Sequence, residues 1–160
     1  VLKDSLTGIY NRRFADEHLP ADIVKSLVSR QPLSIIFLDI NNLKAVNDTL
    51  GHAFGDRIIQ SVASVLSLCI RTEKDWVARY GGDEFLICLS STEAQYAERI
   101  YTRIREKLTE LASKDELGIK VSVSAGIHTM DGTPLTAKEL IAEADKKMYI
   151  AKMKYKNNYE

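Results

Sequence analysis

The sequence is poor in several features that would assign it to a special class of protein. It has two cysteines, Cys69 and Cys88, without CxxC spacing or a nearby histidine, so we expect buried, reduced thiols. No apolar run is long enough to cross a bilayer, and no signal peptide is visible. Basic and acidic residues balance at 22 each, which gives no global electrostatic argument for nucleic-acid or membrane contact. We predict a cytoplasmic domain that makes neither contact.

What the chain does contain is the composition of one globular domain. Apolar residues make up 45% and charged residues 28% of the 160 residues, and no linker or repeat interrupts them. We therefore predict a single domain over 1–160. Because the chain begins at Val1 without a methionine, we expect the C-terminal fragment of a longer protein, and the sequence leaves open whether that protein is anchored in a membrane.

Apolar periodicity predicts helices that alternate with strands. The predicted strands are 33–38, 76–80, 85–89 and 119–127. The predicted helices are 12–30 with a break or a new first turn at Pro20, 42–50, 55–70, one from the capping box Thr92-x-x-Gln95 to Leu111, and one from the capping box Thr136-x-x-Glu139 to Ala151. This order predicts an α+β fold, a central mixed and mainly antiparallel sheet flanked by helices, of the ferredoxin-like or polymerase-palm-like kind.

The tetrad Gly81-Gly82-Asp83-Glu84 separates two of the predicted strands. Paired glycines between such runs indicate a hairpin, because glycine takes positive φ without steric cost. The two acids at its mouth are either an ordinary polar turn or a metal or acid–base site. This segment alone does not decide between the two.

Asp39 ends the apolar run 33–38. If that strand lies beside the hairpin, Asp39 and Asp83 come together. Two carboxylates, together with waters or phosphate oxygens, are ligands that Mg²⁺ accepts. The more specific hypothesis is therefore a metal site, and the alternative is a pair of polar residues without a function at a strand end and a hairpin. The helix that starts at Asn42 offers N–H groups to a phosphate, and Lys44 could add charge there.

Other candidate groups have ordinary explanations on spacing alone. We interpret Asp56 as the N-cap of the helix at 55–70 rather than as a functional residue. His52 has no partner at metal-ligand spacing. The lysines of the last helix are either a solvated helix end or contacts to a triphosphate; they are Lys146, Lys147, Lys152, Lys154 and Lys156.

Six motifs occur in order along the chain. They are Asp4-x-Leu6-Thr7-Gly8-x-x-Asn11-Arg12, Phe37-Leu38-Asp39-Ile40, Asn47-Asp48, Gly51-His52-x-x-Gly55-Asp56, Arg79-Tyr80-Gly81-Gly82-Asp83-Glu84-Phe85, and Ala144-Asp145 followed by Tyr149-x-Ala151-Lys152. Together they make the chain closely similar to the GGDEF domain of bacterial diguanylate cyclases, over essentially all residues.

The resemblance implies a fold similar to the palm of polymerases and adenylyl cyclases. It also implies a reaction in which two GTP molecules condense into cyclic di-GMP and pyrophosphate is released. Each subunit of an antiparallel homodimer would hold one GTP, and each 3′-hydroxyl would attack the α-phosphate of the other. Mg²⁺ or Mn²⁺ is the implied cofactor, and an upstream sensory or dimerisation domain is the implied partner.

Family roles carry over by motif position. Asp39, the Ile40 carbonyl and Asp83 are the implied metal ligands. Asp83 or Glu84 would help to deprotonate the hydroxyl group, and Lys44 would stabilise the transition state. The implied substrate contacts are Asn47 and Asp56 at guanine, His52 in the same pocket, Asn42 and Leu43 at the helix start, and Lys152 and Lys156 at the phosphates.

Several positions depart from the family pattern. Asn41 stands where a second aspartate is common, which removes a charge near the metal but no implied ligand. Tyr155 and Lys156 replace a Gly-Arg pair. Lysine keeps the positive charge but cannot donate the two parallel hydrogen bonds of a guanidinium, so we expect weaker phosphate binding there. The family's inhibitory product site is an Arg-x-x-Asp ending at the position of Asp75. Its first position here is Thr72, so we predict no feedback inhibition through that site.

An active diguanylate cyclase is the leading hypothesis. The alternative is a catalytically degenerate GGDEF domain that binds GTP or cyclic di-GMP as a regulatory module. Degenerate members usually lose the acidic pair or the strand-end aspartate. This chain retains Asp39, Asp83, Glu84, Asn47 and Asp56, which favours the enzyme.

Overall fold

The computed structural model describes residues 1–113 and 118–159, without the side chains of Ser113 and Tyr159. Its elements are, in chain order, β1 (Tyr10–Asn11), α1 (Arg12–Ser29), β2 (Leu33–Ile40), α2 (Leu43–Leu50), α3 (His52–Cys69), β3 (Trp76–Arg79), β4 (Glu84–Ser90), α4 (Ala94–Ser113), β5 (Val123–Met130) and α5 (Ala137–Tyr159). The predicted order is confirmed, and β1 is an addition, because two residues are too few to show a strand pattern.

The five strands lie in the order β1-β3-β4-β2-β5. β1 pairs with β3 in parallel, and the three other pairs are antiparallel. The predicted mixed, mainly antiparallel sheet is therefore confirmed. β2 lies between β4 and β5, and this central position explains its nearly continuous apolar sequence.

Both faces of the sheet are buried, because helices cover each of them. Ile36 and Leu38 of β2 pack in one apolar cluster with α3 and α4, whereas Ile35 and Phe37 pack in a second cluster with α1 and α5. The alternation follows from the two-residue repeat of a strand. β2 consequently has no polar face until it reaches Asp39, at the end of the strand.

α1 passes through Pro20 without a break, contrary to the prediction. The proline occupies an exposed position, while the adjacent Leu19 and the later Ile23 are buried. Packing of this apolar face holds the helix together across the hydrogen bond that proline cannot donate.

The first predicted capping box is wrong, and the second is confirmed. α4 begins at Ala94, and the Thr92 hydroxyl donates to the Ser90 carbonyl oxygen at 2.7 Å instead of capping the helix. Before α5, Thr136 Oγ1 accepts the Glu139 N–H at 3.1 Å and Glu139 Oε1 accepts the Thr136 N–H at 3.0 Å. Local spacing predicted both boxes, but tertiary contacts decided which one forms.

β5 runs from Val123 to Met130 rather than over 119–127, because its length follows that of β2. α5 packs closely on this strand. A Cβ atom at Gly126 would collide with the backbone of Ala144 and Met148, so glycine permits the close approach. This contact brings the second half of α5 next to the end of β2.

The apolar interior contains both cysteines. Cys69 and Cys88 are buried and form no disulfide, as predicted. Burial raises the pKa of each thiol. Among the described residues, no helix combines the length and apolar character that a membrane span requires.

Candidate active site

Asp39 and Asp83 meet at one end of the sheet. In the antiparallel register of β2 and β4, Asp39 pairs with Glu84. The next residue, Ile40, donates its N–H to the Asp83 carbonyl oxygen at 3.0 Å. The condition that the strand ending at Asp39 lies beside the hairpin is therefore met.

Asp39 lies in a partly buried group of oxygen atoms. Burial and then the charge of Asp83 raise the pKa of Asp39 to about 6, and Lys152 acts in the opposite direction. The Lys152 ammonium lies 3.3 Å from Asp39 Oδ2 and donates to the Ile40 carbonyl oxygen at 3.0 Å. The other carboxylate oxygen, Oδ1 of Asp39, is buried and has no hydrogen-bond partner in the described part of the chain.

These oxygen atoms fit a hard divalent cation. Mg²⁺ is commonly bound through one or two carboxylates and fills its remaining positions with water or substrate phosphate. The unpartnered Oδ1 of Asp39 supports the fit. Across residues 1–113 and 118–159, no three or more histidine, cysteine, aspartate or glutamate side chains are grouped to hold a metal ion. A cation at Asp39 and Asp83 would thus depend on non-protein oxygen atoms.

Gly81 leaves room for the Glu84 carboxylate. A Cβ atom at Gly81 would collide with Oε1 of Glu84, whereas a Cβ atom at Gly82 would meet nothing within 4 Å. Neither glycine has positive φ, so the predicted reason for the glycine pair is wrong. The N–H groups of Tyr80 (2.8 Å) and Gly81 (3.3 Å) both donate to the Glu84 carbonyl oxygen, and this closes the turn.

The Glu84 side chain is half-buried among other charges. Burial raises the pKa of Glu84, the carboxylates of Asp83 and Asp145 raise it further, and Arg12 and Lys152 lower it. Sequence reasoning did not single out Asp145 as a site residue. Its signals are its place in the Ala144-Asp145 motif and its position on α5, about two helical turns before Lys152.

Arg79 connects the hairpin to the start of the chain. Its guanidinium donates to the Gly82 carbonyl oxygen at 2.7 and 3.1 Å and lies 3.3 Å from the Asp4 carboxylate. Asp4 in turn accepts hydrogen bonds from the Thr7 N–H (3.0 Å) and hydroxyl (2.7 Å). In the sequence, Asp4 and Arg79 belong to two separate family motifs. Because 75 residues separate them, no local pattern predicts that their side chains pair.

The start of α2 lies at the same end of the sheet as the carboxylates. The helix begins at Leu43, which is buried, and Asn42 precedes it with φ of 63° and without a side-chain cap. Lys44 is exposed in the first turn. Only Asn41 and Asn42 separate the α2 N-terminus from Ile40, which agrees with the phosphate-site hypothesis.

The predicted guanine-contacting residues lie at the corner between α2 and α3. Oδ1 of Asn47 is buried and lacks a hydrogen-bond partner among the described residues, and a Cβ atom at Gly55 would collide with it. α3 begins at His52, so Asp56 lies inside the helix and the N-cap interpretation of Asp56 is wrong. His52 and Asp56 are both exposed, one turn apart.

Lys152 and Lys156 are also one turn apart, on α5, but only Lys152 reaches the carboxylates. Its side chain is 17% exposed and bonded as described above, whereas Lys156 is exposed. Asn41 belongs to a separate neutral network. Its amide group donates to Ser122 Oγ at 3.0 Å, and its Oδ1 accepts from Ser124 Oγ at 2.7 Å.

The sequence of this domain matches the profile of a known protein family. A family profile described as "Diguanylate cyclase, GGDEF domain" covers residues 1–158. The chain belongs to the GGDEF family. The resemblance stated from the motifs is thereby confirmed, and the fold with it.

This GGDEF domain spans about a third of the length of the first curated relatives that it matches. "Diguanylate cyclase DosC" of Escherichia coli K12 is 35% identical over 98% of this chain, which spans 34% of DosC. The structure of "diguanylate cyclase SiaD in complex with its activator SiaC" from Pseudomonas aeruginosa is 32% identical, with a TM-score of 0.88 over 96% of this chain and 58% of SiaD. A structure of the coiled coil and GGDEF domain of DgcB from Caulobacter crescentus, in complex with c-di-GMP, is 26% identical, with a TM-score of 0.87 over 96% of this chain and 81% of that one.

The segment before the GGDEF hairpin contains an ion pair between a partly exposed arginine and a buried aspartate. Arg71 donates to both carboxylate oxygens of Asp75 at 2.9 Å, and also to the Ser90 carbonyl oxygen and Thr92 Oγ1 at 2.7 Å. The Asp75 side chain is fully buried, and Thr72 is exposed. Arg71 therefore anchors this segment through Asp75.

Proposed function

We propose that this GGDEF domain condenses two GTP molecules into cyclic di-GMP and releases pyrophosphate. The observation that carries the proposal is the meeting of Asp39 and Asp83, where one oxygen atom of Asp39 is buried without a partner. A cationic side chain, Lys152, and the start of α2 lie at the same end of the sheet, and both suit a triphosphate.

Asp39, the Ile40 carbonyl and Asp83 would hold Mg²⁺ or Mn²⁺. When bound, such a cation offsets negative charge on phosphoryl oxygens. Lys44, in the first turn of α2, would add a second positive charge where phosphoryl oxygens become more negative. Lys152 and the exposed Lys156 would contact the outer phosphates.

Asp83 or Glu84 would take the proton from the attacking 3′-hydroxyl. Burial and the neighbouring carboxylates of Asp83 and Asp145 raise the pKa of Glu84, and a raised pKa suits a general base. Asp83 is adjacent and is also a proposed metal ligand, so both residues remain candidates for the base. Both residues lie at the turn between β3 and β4, so either carboxylate lies at the edge of the domain.

Asn47 and Asp56 would select guanine. A carboxylate accepts two hydrogen bonds from the N1–H and N2–H₂ edge of guanine, and adenine lacks that edge. The buried, unpartnered Oδ1 of Asn47 supports a ligand contact, because such an oxygen is otherwise costly. His52 would line the same pocket.

Catalysis would need a homodimer. Each domain would hold one GTP, and the two half-sites would face one another so that each 3′-hydroxyl reaches the opposite α-phosphate. An upstream domain in the longer protein would supply the dimer contact. Holding both reactants in place is a large part of the rate advantage expected for such a reaction.

The test is product analysis after incubation with GTP and Mg²⁺. The domain is fused to a dimeric coiled coil, so that a missing upstream region does not hide activity, and ATP is run in parallel. We expect cyclic di-GMP from GTP and no turnover of ATP. Binding of GTP without product, in the forced dimer, would favour a degenerate binding module. Equal turnover of ATP would contradict the role given to Asp56.

A further inference from the structure

A second cleft lies around the edge of the sheet from the proposed catalytic site. Its volume is about 400 Å³, and it lies between α4, the approach to β5 and the end of α5. Its lining includes two tyrosine rings, three cationic side chains and an amide side chain: Tyr101, Tyr155, Arg105, Lys120, Lys154 and Asn158. Neither Lys152 nor Lys156 lines it, so the two sites use different faces of α5.

The cleft is positively charged. Arg105, Lys120 and Lys154 line it, and none of its lining residues is an aspartate or glutamate. Some other surface cations are paired along their own helices, as Arg13 is with Glu17 at 3.1 Å. Among the ion pairs of residues 1–113 and 118–159, none involves the three cleft cations. Concave surfaces with one sign of charge focus the field and attract counter-ions.

Arg105 lies beside an aromatic ring of the same helix. Its guanidinium carbon lies 5.0 Å from the centre of the Tyr101 ring. Burial raises the pKa of Tyr101, so its hydroxyl group stays neutral and can donate a hydrogen bond. A guanidinium beside two lysines is the donor set that binds phosphate oxygens in pairs.

The inner wall of the cleft is built from a hydrogen-bonded network. Asn41, Ser122 and Ser124 line the cleft, and the Asn41 side chain bonds to both serine hydroxyls at 3.0 and 2.7 Å. Asn41 directly follows Ile40 in the chain. A ligand in the cleft would therefore touch the segment that carries a proposed metal ligand.

We propose that this cleft binds a small phosphorylated anion, either pyrophosphate or the phosphate group of a nucleotide. The volume lies in the range of small-molecule sites. The cations would bind the phosphate group, and the Tyr101 and Tyr155 rings would contact the remainder of a nucleotide. This site is separate from the proposed cyclase activity and does not depend on it.

The test is a titration of the ¹⁵N-labelled domain with pyrophosphate, GMP and unphosphorylated guanosine, followed by NMR. EDTA is present, so metal-dependent binding at Asp39 and Asp83 is suppressed and no turnover occurs. Two neighbouring lysines give a matched pair of variants. Lys154→Gln removes a cation from the cleft, and Lys152→Gln removes one from the catalytic side of the same helix.

We expect pyrophosphate, GMP or both to shift amide signals at 101–105, 120–124 and 151–158. Lys154→Gln should weaken this binding about tenfold, as for one charge-assisted hydrogen bond, and Lys152→Gln should leave it within about twofold. Binding of pyrophosphate alone would identify a site for the free anion, and tighter binding of GMP would identify a nucleotide site. The proposal is overturned if the shifts are confined to 42–56, if guanosine binds as well as GMP, or if both variants bind equally.

Discussion

The Lys152 ammonium bridges Asp39 and Ile40, two of the three proposed metal-binding residues. It lies 3.3 Å from the Asp39 carboxylate and 3.0 Å from the Ile40 carbonyl oxygen. The side chains of Lys152 and Asp39 are each only 17% exposed. Lys152 therefore does two things at this end of the sheet: it offsets the repulsion between Asp39 and Asp83, and it places a cation near the proposed phosphate position.

We expect Lys152→Gln to reduce both stability and turnover. Loss of the ammonium leaves a partly buried carboxylate pair without its counter-charge, which should cost about 1 to 2 kcal/mol in the free energy of unfolding. GTP turnover should fall at least about tenfold. Urea unfolding in EDTA and steady-state kinetics measure the two effects. Lys156→Gln is the control for stability. Because Lys156 is exposed, this variant should have the same free energy of unfolding as the wild type.

Gly81 and Gly82 give a second matched test. Gly81→Ala places a Cβ atom on the Glu84 carboxylate and must displace it, whereas Gly82→Ala meets open space. We expect kcat/KM for GTP to fall at least about tenfold in Gly81→Ala and to stay within about twofold in Gly82→Ala. Equal effects of the two substitutions on kcat/KM would show that the position of Glu84 does not matter.

The sequence predicted the central part of the site because it depends on two short-range rules. The apolar run before Asp39 indicated a buried strand, and the two apolar runs flanking Gly81-Gly82 indicated a hairpin. One further assumption, that this strand lies beside the hairpin, was enough to predict that Asp39 and Asp83 are close together. The structure has that strand order. The motif resemblance then supplied candidate roles that spacing alone did not.

What the sequence did not predict depends on contacts between distant residues. The Asp4–Arg79 ion pair, the burial of the Asn47 amide and the closeness of Asp145 to Glu84 have no periodic signal. Thr92 matched a capping box, yet Arg71 and the Ser90 carbonyl hold its hydroxyl. At Thr92, tertiary contacts overrode a local preference.

Asp4 should make stability depend on pH. Burial raises the pKa of Asp4, but hydrogen bonds from Thr7 and the charge of Arg79 outweigh it and hold the pKa below its usual value. A group of this kind stabilises the fold above its unfolded pKa, and the contribution is lost as the pH falls through the folded pKa. Asp4→Asn should lower the free energy of unfolding by about 1 kcal/mol at pH 7.

Urea unfolding over a series of pH values measures this effect. The difference between wild type and Asp4→Asn should shrink as the pH falls below about 5, because Asp4 of the unfolded chain and then, at lower pH, Asp4 of the folded chain takes up a proton. Asp131→Asn, at an exposed position, serves as the control. A difference that stays constant over this range would contradict the assignment to the Asp4 carboxylate.

Product should not inhibit the enzyme through the segment before the hairpin. From the family motif we expect Thr72 at the position of the inhibitory arginine, and the Arg71 guanidinium is bonded to Asp75. We expect added cyclic di-GMP to leave the initial rate of the coiled-coil fusion unchanged, and Thr72→Arg, which restores Arg-x-x-Asp, to make the rate sensitive to product. Initial rates at increasing product concentration decide the matter. Inhibition of the wild type that Thr72→Arg does not strengthen would contradict this prediction.

The most direct measurement of the central claim is the yield of cyclic di-GMP from GTP and Mg²⁺ by the coiled-coil fusion, compared with Asp39→Asn, Asp83→Asn and the exposed control Asp131→Asn. If Asp39 and Asp83 form the catalytic centre, each of their variants should lose at least about a hundredfold in rate. Asp131→Asn should retain the wild-type rate. Cyclic di-GMP formation that survives both Asp39→Asn and Asp83→Asn would contradict the account.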